Sequence, residues 1–222
     1  MQRRGLCAIL VILIAMSSCS GLPPIKPADP LAVAGIEKQC LRPFPPGPYR
    51  LIHSVEAVFP GGSQINFIGI LLIDPREKSI HSVIMTIEGF VLFDAEFKSE
   101  VKINRSVPPF DSVAYAEHMM KDIEFVIFPP QGTRKEAGYS ADGSVICRFE
   151  ERQGRTTDVT VTGKATWLVS QYNEQDGLIR SMRVSLLDER NVPARIDFDT
   201  CGPDGYSLHM RLISAEPVAP SR

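Results

Sequence analysis

One thiol stands where it can be modified. Cys19 follows an apolar run, Leu6 to Met16, from which two serines separate it, and a basic pair, Arg3 and Arg4, precedes the run. A basic head, a short apolar stretch and small residues before a cleavage site are typical of a secretory signal peptide. The run is too short to span a bilayer, which takes about 20 apolar residues. The sequence therefore predicts a leader over residues 1–18.

The segment Met16-Ser17-Ser18-Cys19 resembles the lipobox of bacterial lipoproteins, in which an apolar and two small residues precede the modified cysteine. The resemblance implies that the Cys19 thiol forms a thioether with diacylglycerol and that acyl chains such as palmitate anchor the protein. Ser20 follows in place of Asp. By analogy with enterobacterial lipoproteins, this favours the outer membrane, facing the periplasm. The alternative is an ordinary signal peptide with an incidental cysteine.

Further cysteines lie in the body of the chain, at Cys40, Cys147 and Cys201. An exported protein meets an oxidising compartment, but three thiols cannot all pair within one chain. A disulfide between Cys40 and Cys201 would join the start of the domain to its far end and leave Cys147 as a buried free thiol. The alternative is that all three stay reduced. No cysteine or histidine spacing is typical of zinc, so we expect neither a metal site nor a cofactor.

The sequence favours a binding or structural protein over an enzyme. It contains no G-x-S-x-G, Walker A, H-E-x-x-H or G-x-G-x-x-G motif. Arg195, Asp197 and Asp199 share one strand face, which is typical of solvated charges on the outside of a sheet. The net charge of −2 gives no basic face for nucleic acid. No catalytic residue is expected among the scattered histidines, which are His53, His81, His118 and His209.

The composition predicts one globular domain. Apolar residues make up 44% and charged residues 23%, enough for a buried core at ordinary surface charge. Prolines dominate the start of the mature chain, so we expect a lipidated N-terminus and a proline-rich tether over 19–40. A single domain then covers 41–216, and 217–222 form a disordered tail.

Strands dominate this domain. From Tyr49 the chain alternates, with Leu51, Val55 and Ala57 on one face, and turn signals such as Asp176-Gly177 separate later runs. One helix is expected near 111–126, and the polar section 131–142 is expected to be a loop. We predict a mainly β (α+β) fold, an antiparallel open or half-closed β-barrel of about eleven strands that a helix plugs or covers.

Two stretches resemble a domain-of-unknown-function family of bacterial lipoproteins related in fold to the carriers LolA and LolB. The matching residues are Thr86, Gly89 and Phe93 in a strand pair and Asp122, Phe125, Phe128 and Pro129 at a helix end. The resemblance implies an unclosed barrel with a helical lid, a place in the cell envelope, and the binding or passing on of an acylated ligand, either a lipid or a lipoprotein.

Such a barrel would hold acyl chains in an apolar cavity. The candidate lining residues are Phe67, Ile70, Leu72, Ile84, Phe93, Met119, Met120, Ile123 and Trp167. The alternative is that these residues form a packed core. The chain would then be a non-enzymatic structural or assembly lipoprotein with a solid barrel, and its partner would be another envelope protein.

Overall fold

The computed structural model describes residues 21–108 and 110–218. The predicted leader, Cys19 and residues 219–222 therefore lie outside the described residues. The described part contains two α-helices, α1 (Val33–Leu41) and α2 (Val113–Ile127). Its strands are β1 (Lys26–Pro27), β2 (Tyr49–Val58), β3 (Gln64–Asp74), β4 (Ser79–Met85), β5 (Val91–Phe97), β6 (Val101–Ser106), β7 (Thr133–Tyr139), β8 (Val145–Glu150), β9 (Thr156–Gly163), β10 (Thr166–Tyr172), β11 (Leu178–Leu187), β12 (Pro193–Thr200) and β13 (Ser207–Pro217).

All thirteen strands form one antiparallel sheet, in the order β1-β7-β8-β9-β10-β11-β12-β13-β2-β3-β4-β5-β6. Within the described part of the chain, β1 and β6 are the two ends of this order and do not pair with each other, so the sheet is open. The mainly β antiparallel prediction is confirmed. The prediction of about eleven strands is corrected to thirteen, because β1 and β7 were not expected.

Two physical features of the sequence explain why β7 and β1 were not predicted. β7 reads TRKEAGY, and its first four residues are exposed, so it lacks a hydrophobic alternation. A bulge between Arg134 and Glu136 also interrupts its pairing with β8. β1 is two residues long and includes Pro27, which cannot donate a backbone hydrogen bond.

The apolar alternation of the longer strands, of which β2 is an example, turns one face of the sheet inward. In β2, which runs from Tyr49 to Val58, every second residue is buried, and Leu51, Val55 and Ala57 are among these buried residues. Successive registers continue this inner face from strand to strand, since directly paired residues share a face. One such row runs through Phe67, Val55, Met210, Ile196, Val184, Trp167 and Val161.

Helix α2 lies in the connection between the two ends of the sheet. In the chain it follows β6, which is one edge strand, and precedes β7, which lies next to the opposite edge. The Ser112 hydroxyl caps its start by accepting a hydrogen bond from the Tyr115 backbone N–H at 3.1 Å. The helix ends at Phe128, which is extended and precedes two prolines. Its buried residues, which include Met120 and Phe125, pack on the sheet.

The observed disulfide differs from the predicted one. Cys40 on α1 is bonded to Cys147 on β8, with Cα atoms 6.3 Å apart, whereas Cys201 is exposed and has no disulfide partner among the described residues. The predicted Cys40–Cys201 bridge and the free Cys147 are therefore both corrected. The reason is that α1 covers the β7–β9 end of the sheet, where the Trp167 indole Nε1 donates a hydrogen bond to the Gln39 carbonyl at 3.0 Å.

The proline-rich segment lies against the domain instead of spacing it from its surroundings. The Pro23 carbonyl accepts a hydrogen bond from Arg148 Nη2 at 2.8 Å, and β1 pairs with β7. At the other end, β13 continues to Pro217, and Val218 donates its N–H to the Pro48 carbonyl. Structure thus extends beyond both expected domain limits. Neither α1 nor α2, the helices of the described residues, is long and apolar enough to cross a membrane.

Candidate functional site

A small cavity lies between α2 and the inner face of the sheet, and we call it the helix cavity. Its volume is about 60 Å³. Its wall is apolar apart from His53, Asp122 and the Tyr206 hydroxyl. The lining residues are His53 and Leu71 from β2 and β3, Met119, Asp122, Ile123, Val126 and Ile127 from α2, and Ile196, Phe198, Tyr206, Leu208 and Met210 from β12, β13 and the residue before β13.

Local sequence explains why these side chains meet. In β12 the buried residues Ile196 and Phe198 alternate with Arg195 and Asp197, which bind each other on the outer face. In α2, Met119, Ile123 and Val126 recur at helical spacing and so share one side of the helix. A period of two on the strands and of about 3.6 on the helix thus brings two apolar surfaces together.

The one histidine of the helix cavity is neutral at physiological pH. His53 lies on β2 between Leu51 and Val55, and its side chain is almost fully buried. Burial lowers the pKa of His53 to about 4, because desolvation disfavours the charged imidazolium. The cavity wall therefore carries no positive charge at this position near pH 7.

An ion pair at the edge of the helix cavity ties α2 to the sheet. Asp122 on α2 accepts hydrogen bonds from Arg180 Nη1 on β11 at 2.5 Å and from the Tyr206 hydroxyl at 2.6 Å. Arg180 also donates to the Lys121 carbonyl, and its guanidinium lies 4.5 Å from the centre of the Phe125 ring. Burial and the Asp122 carboxylate raise the pKa of Tyr206, so its hydroxyl stays a donor.

The cavity as described is too small for a long ligand. Pockets that hold small-molecule ligands are typically about 300–1,000 Å³, several times its volume of about 60 Å³. A chain such as palmitate would therefore fit only after α2 moves away from the sheet. Such a movement must break the Asp122–Arg180 pair and the hydrogen bond from the Tyr206 hydroxyl to Asp122.

The predicted lining residues are found in three environments. Met119 and Ile123 line the helix cavity. Phe67, Ile84, Phe93, Met120 and Trp167 lie in the core or pack against it, outside the cavity wall. Ile70 and Leu72 are corrected, because they pair with Ile52 and Arg50 and so face the outside of the sheet, where Leu72 is 41% exposed.

Sequence reasoning missed most of the wall, although two signals for it were present. His53 has the same parity as Leu51 and Val55, which were assigned to the inner face of β2. Ile196 and Phe198 alternate with charged residues that were read as outward. No local signal marks the Asp122–Arg180 pair, because its members are 58 residues apart.

Comparison with known proteins establishes the fold. No protein-family model matches the chain, and no curated protein matches it. Among solved structures, the chain is similar to a LolA superfamily protein from Nitrosomonas europaea, with 13% sequence identity and a TM-score of 0.57. The match covers 85% of this chain and 94% of that one. The chain therefore has a LolA-like fold.

Proposed function

We propose that this chain is a lipid-anchored protein of the bacterial cell envelope, attached to the outer membrane through Cys19 and facing the periplasm. Its role is to bind an acylated ligand, a lipid or a lipoprotein, or to pass it on. This is binding without catalysis, and neither a cofactor nor nucleic acid takes part. The observation that carries the proposal is the apolar helix cavity beneath a helix that crosses the open sheet.

The energetics of the site support a helix that can be displaced. Burying a palmitoyl chain contributes on the order of 10 kcal/mol before costs, at about 0.8 kcal/mol per methylene. Breaking a buried ion pair costs about 3 kcal/mol, and Asp122 and Arg180 are mostly buried, with side chains 18% and 13% exposed. Burying an acyl chain thus contributes more free energy than breaking this ion pair costs, and the chain must also replace the apolar contacts of α2 with the sheet. Met119 and Met210 add side chains that adapt to varied ligand shapes.

A second candidate function is favoured by the small volume of the cavity. A space of about 60 Å³ also suits a solid, fully packed interior. The chain would then be a structural or assembly lipoprotein that recognises another envelope protein through its surface. The two functions differ in whether an uncharged acyl chain enters beneath α2.

Binding of fluorescent hexadecanol, an uncharged probe, to the full chain in a non-ionic detergent tests this difference. Leu71→Trp fills the helix cavity, whereas Leu72→Trp places the same ring on the outer face of the same strand. We expect Leu71→Trp to weaken probe binding at least about tenfold and Leu72→Trp to leave it unchanged. Met119→Trp is a second cavity-filling variant if Leu71→Trp does not fold. Equal binding by all variants, or none by the unmodified chain, would favour the solid barrel.

The anchor is tested separately. Cells that express the full chain are grown with radiolabelled palmitate, and the protein is isolated. We expect label in the unmodified chain and none in Cys19→Ala. The control Cys201→Ala removes a thiol that is exposed in the folded domain and should keep the label. Equal labelling of Cys19→Ala and the unmodified chain would contradict the anchor.

A further inference from the structure

A second and larger pocket lies on the other side of the Asp122–Arg180 pair, and we call it the basic pocket. Its volume is about 340 Å³. Part of its wall is apolar, with Phe44, Phe125 and Phe128 among the contributors. The charged part contains five basic and two acidic side chains, which are Lys78, Lys121, Arg152, Arg155 and Arg180, and Glu124 and Glu151.

Four of the five basic side chains in the basic pocket form no ion pair within the described residues. Arg180 pairs with Asp122, but the other four basic side chains have no carboxylate within 4 Å among the residues that the structure describes. Glu151 is already occupied, since it accepts hydrogen bonds from the Thr157 hydroxyl at 2.7 Å and the Gln171 amide at 3.0 Å. Burial raises the pKa of Glu124, whereas the nearby Arg180, Lys78 and Arg155 lower it.

One guanidinium nitrogen in this pocket lacks a partner. The Nε atom of Arg155 is buried and, within the described residues, makes no hydrogen bond. A buried N–H without an acceptor costs roughly 1–3 kcal/mol, and more when the group is charged. A ligand oxygen would recover that cost once the Arg155 side chain turns so that Nε faces the pocket. Two lysines and two arginines around one space suit a tetrahedral anion with several acceptor oxygens better than a planar carboxylate.

The two pockets lie on adjacent sides of one helix. Lys121, Phe125 and Phe128 face the basic pocket, whereas Met119, Ile123 and Val126 face the helix cavity. Asp122 lines the helix cavity and its partner Arg180 lines the basic pocket, so this pair bridges the walls of the two spaces. A molecule with a charged end and an apolar chain could reach both spaces at once.

We propose that the basic pocket binds a phosphate group and that the acylated ligand is a phosphate ester, with its phosphate beside Lys121 and Arg155 and its chain beneath α2. The identity of the ester rests on the proposed function, whereas the phosphate site does not depend on it. Arg155 and Arg152 donate from the connection between β8 and β9, and Lys121 donates from the helix.

The test is calorimetric titration of the full chain, in a non-ionic detergent and about 0.15 M salt, with inorganic phosphate and with dihexanoyl phosphatidic acid. The double variant Lys121→Gln/Arg155→Gln removes charge from both sides of the pocket. Arg183→Gln is the matched control, because Arg183 lies on the same strand as Arg180 but is exposed on the outer face. We expect the double variant to bind both compounds at least about tenfold more weakly and the control to bind them unchanged.

Comparing phosphatidic acid, inorganic phosphate and hexadecanol distinguishes the phosphate site from the acyl-carrier proposal. We expect phosphatidic acid to bind at least about tenfold more tightly than inorganic phosphate, and Leu71→Trp to remove that advantage while leaving phosphate binding intact. If hexadecanol fails to bind but phosphate binding still depends on Lys121 and Arg155, the site stands and the acyl-carrier proposal fails. The phosphate site is overturned if the unmodified chain does not bind phosphate, or if the double variant and Arg183→Gln behave alike.

Discussion

Asp122 on α2 and Arg180 on β11 form an ion pair that bridges the walls of the apolar helix cavity and the basic pocket. Each residue has further partners, Tyr206 on Asp122 and Gln171 on Arg180. The pair therefore links the position of the helix to polar groups of three different strands or loops. Its removal should change how easily the helix leaves the sheet.

Asp122→Asn should loosen α2. The substitution removes the negative charge and leaves the mostly buried Arg180 without its counter-ion, which costs about 3 kcal/mol. We expect amide hydrogens of residues 113–127 to exchange at least about tenfold faster while the β2 and β13 amides stay protected. Asp197→Asn makes the same change in a more exposed outer-face pair with Arg195 and should leave α2 unaltered. Unchanged exchange in Asp122→Asn would show that the pair does not hold the helix.

His53 should make the domain less stable in mild acid. Its pKa in the folded state, about 4, lies below the unfolded value of 6.5, so the unfolded chain binds the proton first. The free energy of unfolding should then fall as the pH drops from 6.5 through 4, by about 3 kcal/mol from this residue.

His53→Leu removes this contribution and keeps an apolar side chain at the site. Denaturant melts at pH 7 and pH 4 should give a smaller loss of unfolding free energy for His53→Leu than for the unmodified chain. His118→Gln removes an exposed histidine of α2 and should retain the full loss. An identical pH dependence for His53→Leu and the unmodified chain would contradict the buried neutral state.

The Cys40–Cys147 disulfide should contribute substantially to stability. It joins residues separated by 107 positions, and loops of this length are strongly restricted in the unfolded state. We expect Cys147→Ala to lower the free energy of unfolding by about 2–5 kcal/mol and Cys201→Ala to leave it nearly unchanged. Peptide mapping without reduction should link the Cys40 peptide to the Cys147 peptide. A link from Cys40 to Cys201 would refute the observed pairing.

Gly138→Ala should detach the N-terminal segment from the sheet edge. A Cβ atom at this position would overlap the Lys26 carbonyl oxygen, because β1 pairs with β7 here. We expect the Ala28 amide, which bonds to the Ala137 carbonyl at 3.1 Å, to exchange at least about tenfold faster. Gly35→Ala on α1 meets no atom within 4 Å and is the matched control. Equal protection of Ala28 in both variants would show that close packing at Gly138 is not required.

Sequence reasoning succeeded where one residue and its neighbours carry the signal. The alternation of Leu51, Val55 and Ala57 predicts the strand β2. The turn at Asp176-Gly177 lies between β10 and β11, as expected. It failed where two distant segments decide the outcome. β3 is apolar on both faces near its end, so parity alone could not exclude Ile70 and Leu72 from the interior.

The cysteine pairing and the ion pair failed for a related reason. Whether Cys40 meets Cys147 depends on which end of the sheet α1 covers, and no local pattern encodes that choice. Asp122 was singled out through its resemblance to a family motif, but no pattern pointed to its partner Arg180. Pairings of this kind require the strand order, which the sequence pattern did not provide.

The central pairing of β2 with β13 constrains how the chain is made. β2 begins at Tyr49 and β13 ends at Pro217. β2 is the first long strand to be synthesised, and one of its edges stays uncovered until β13, the last described strand, has been made. Contacts between such distant positions form slowly. The nascent polypeptide therefore carries an unfinished sheet until β13 has been synthesised.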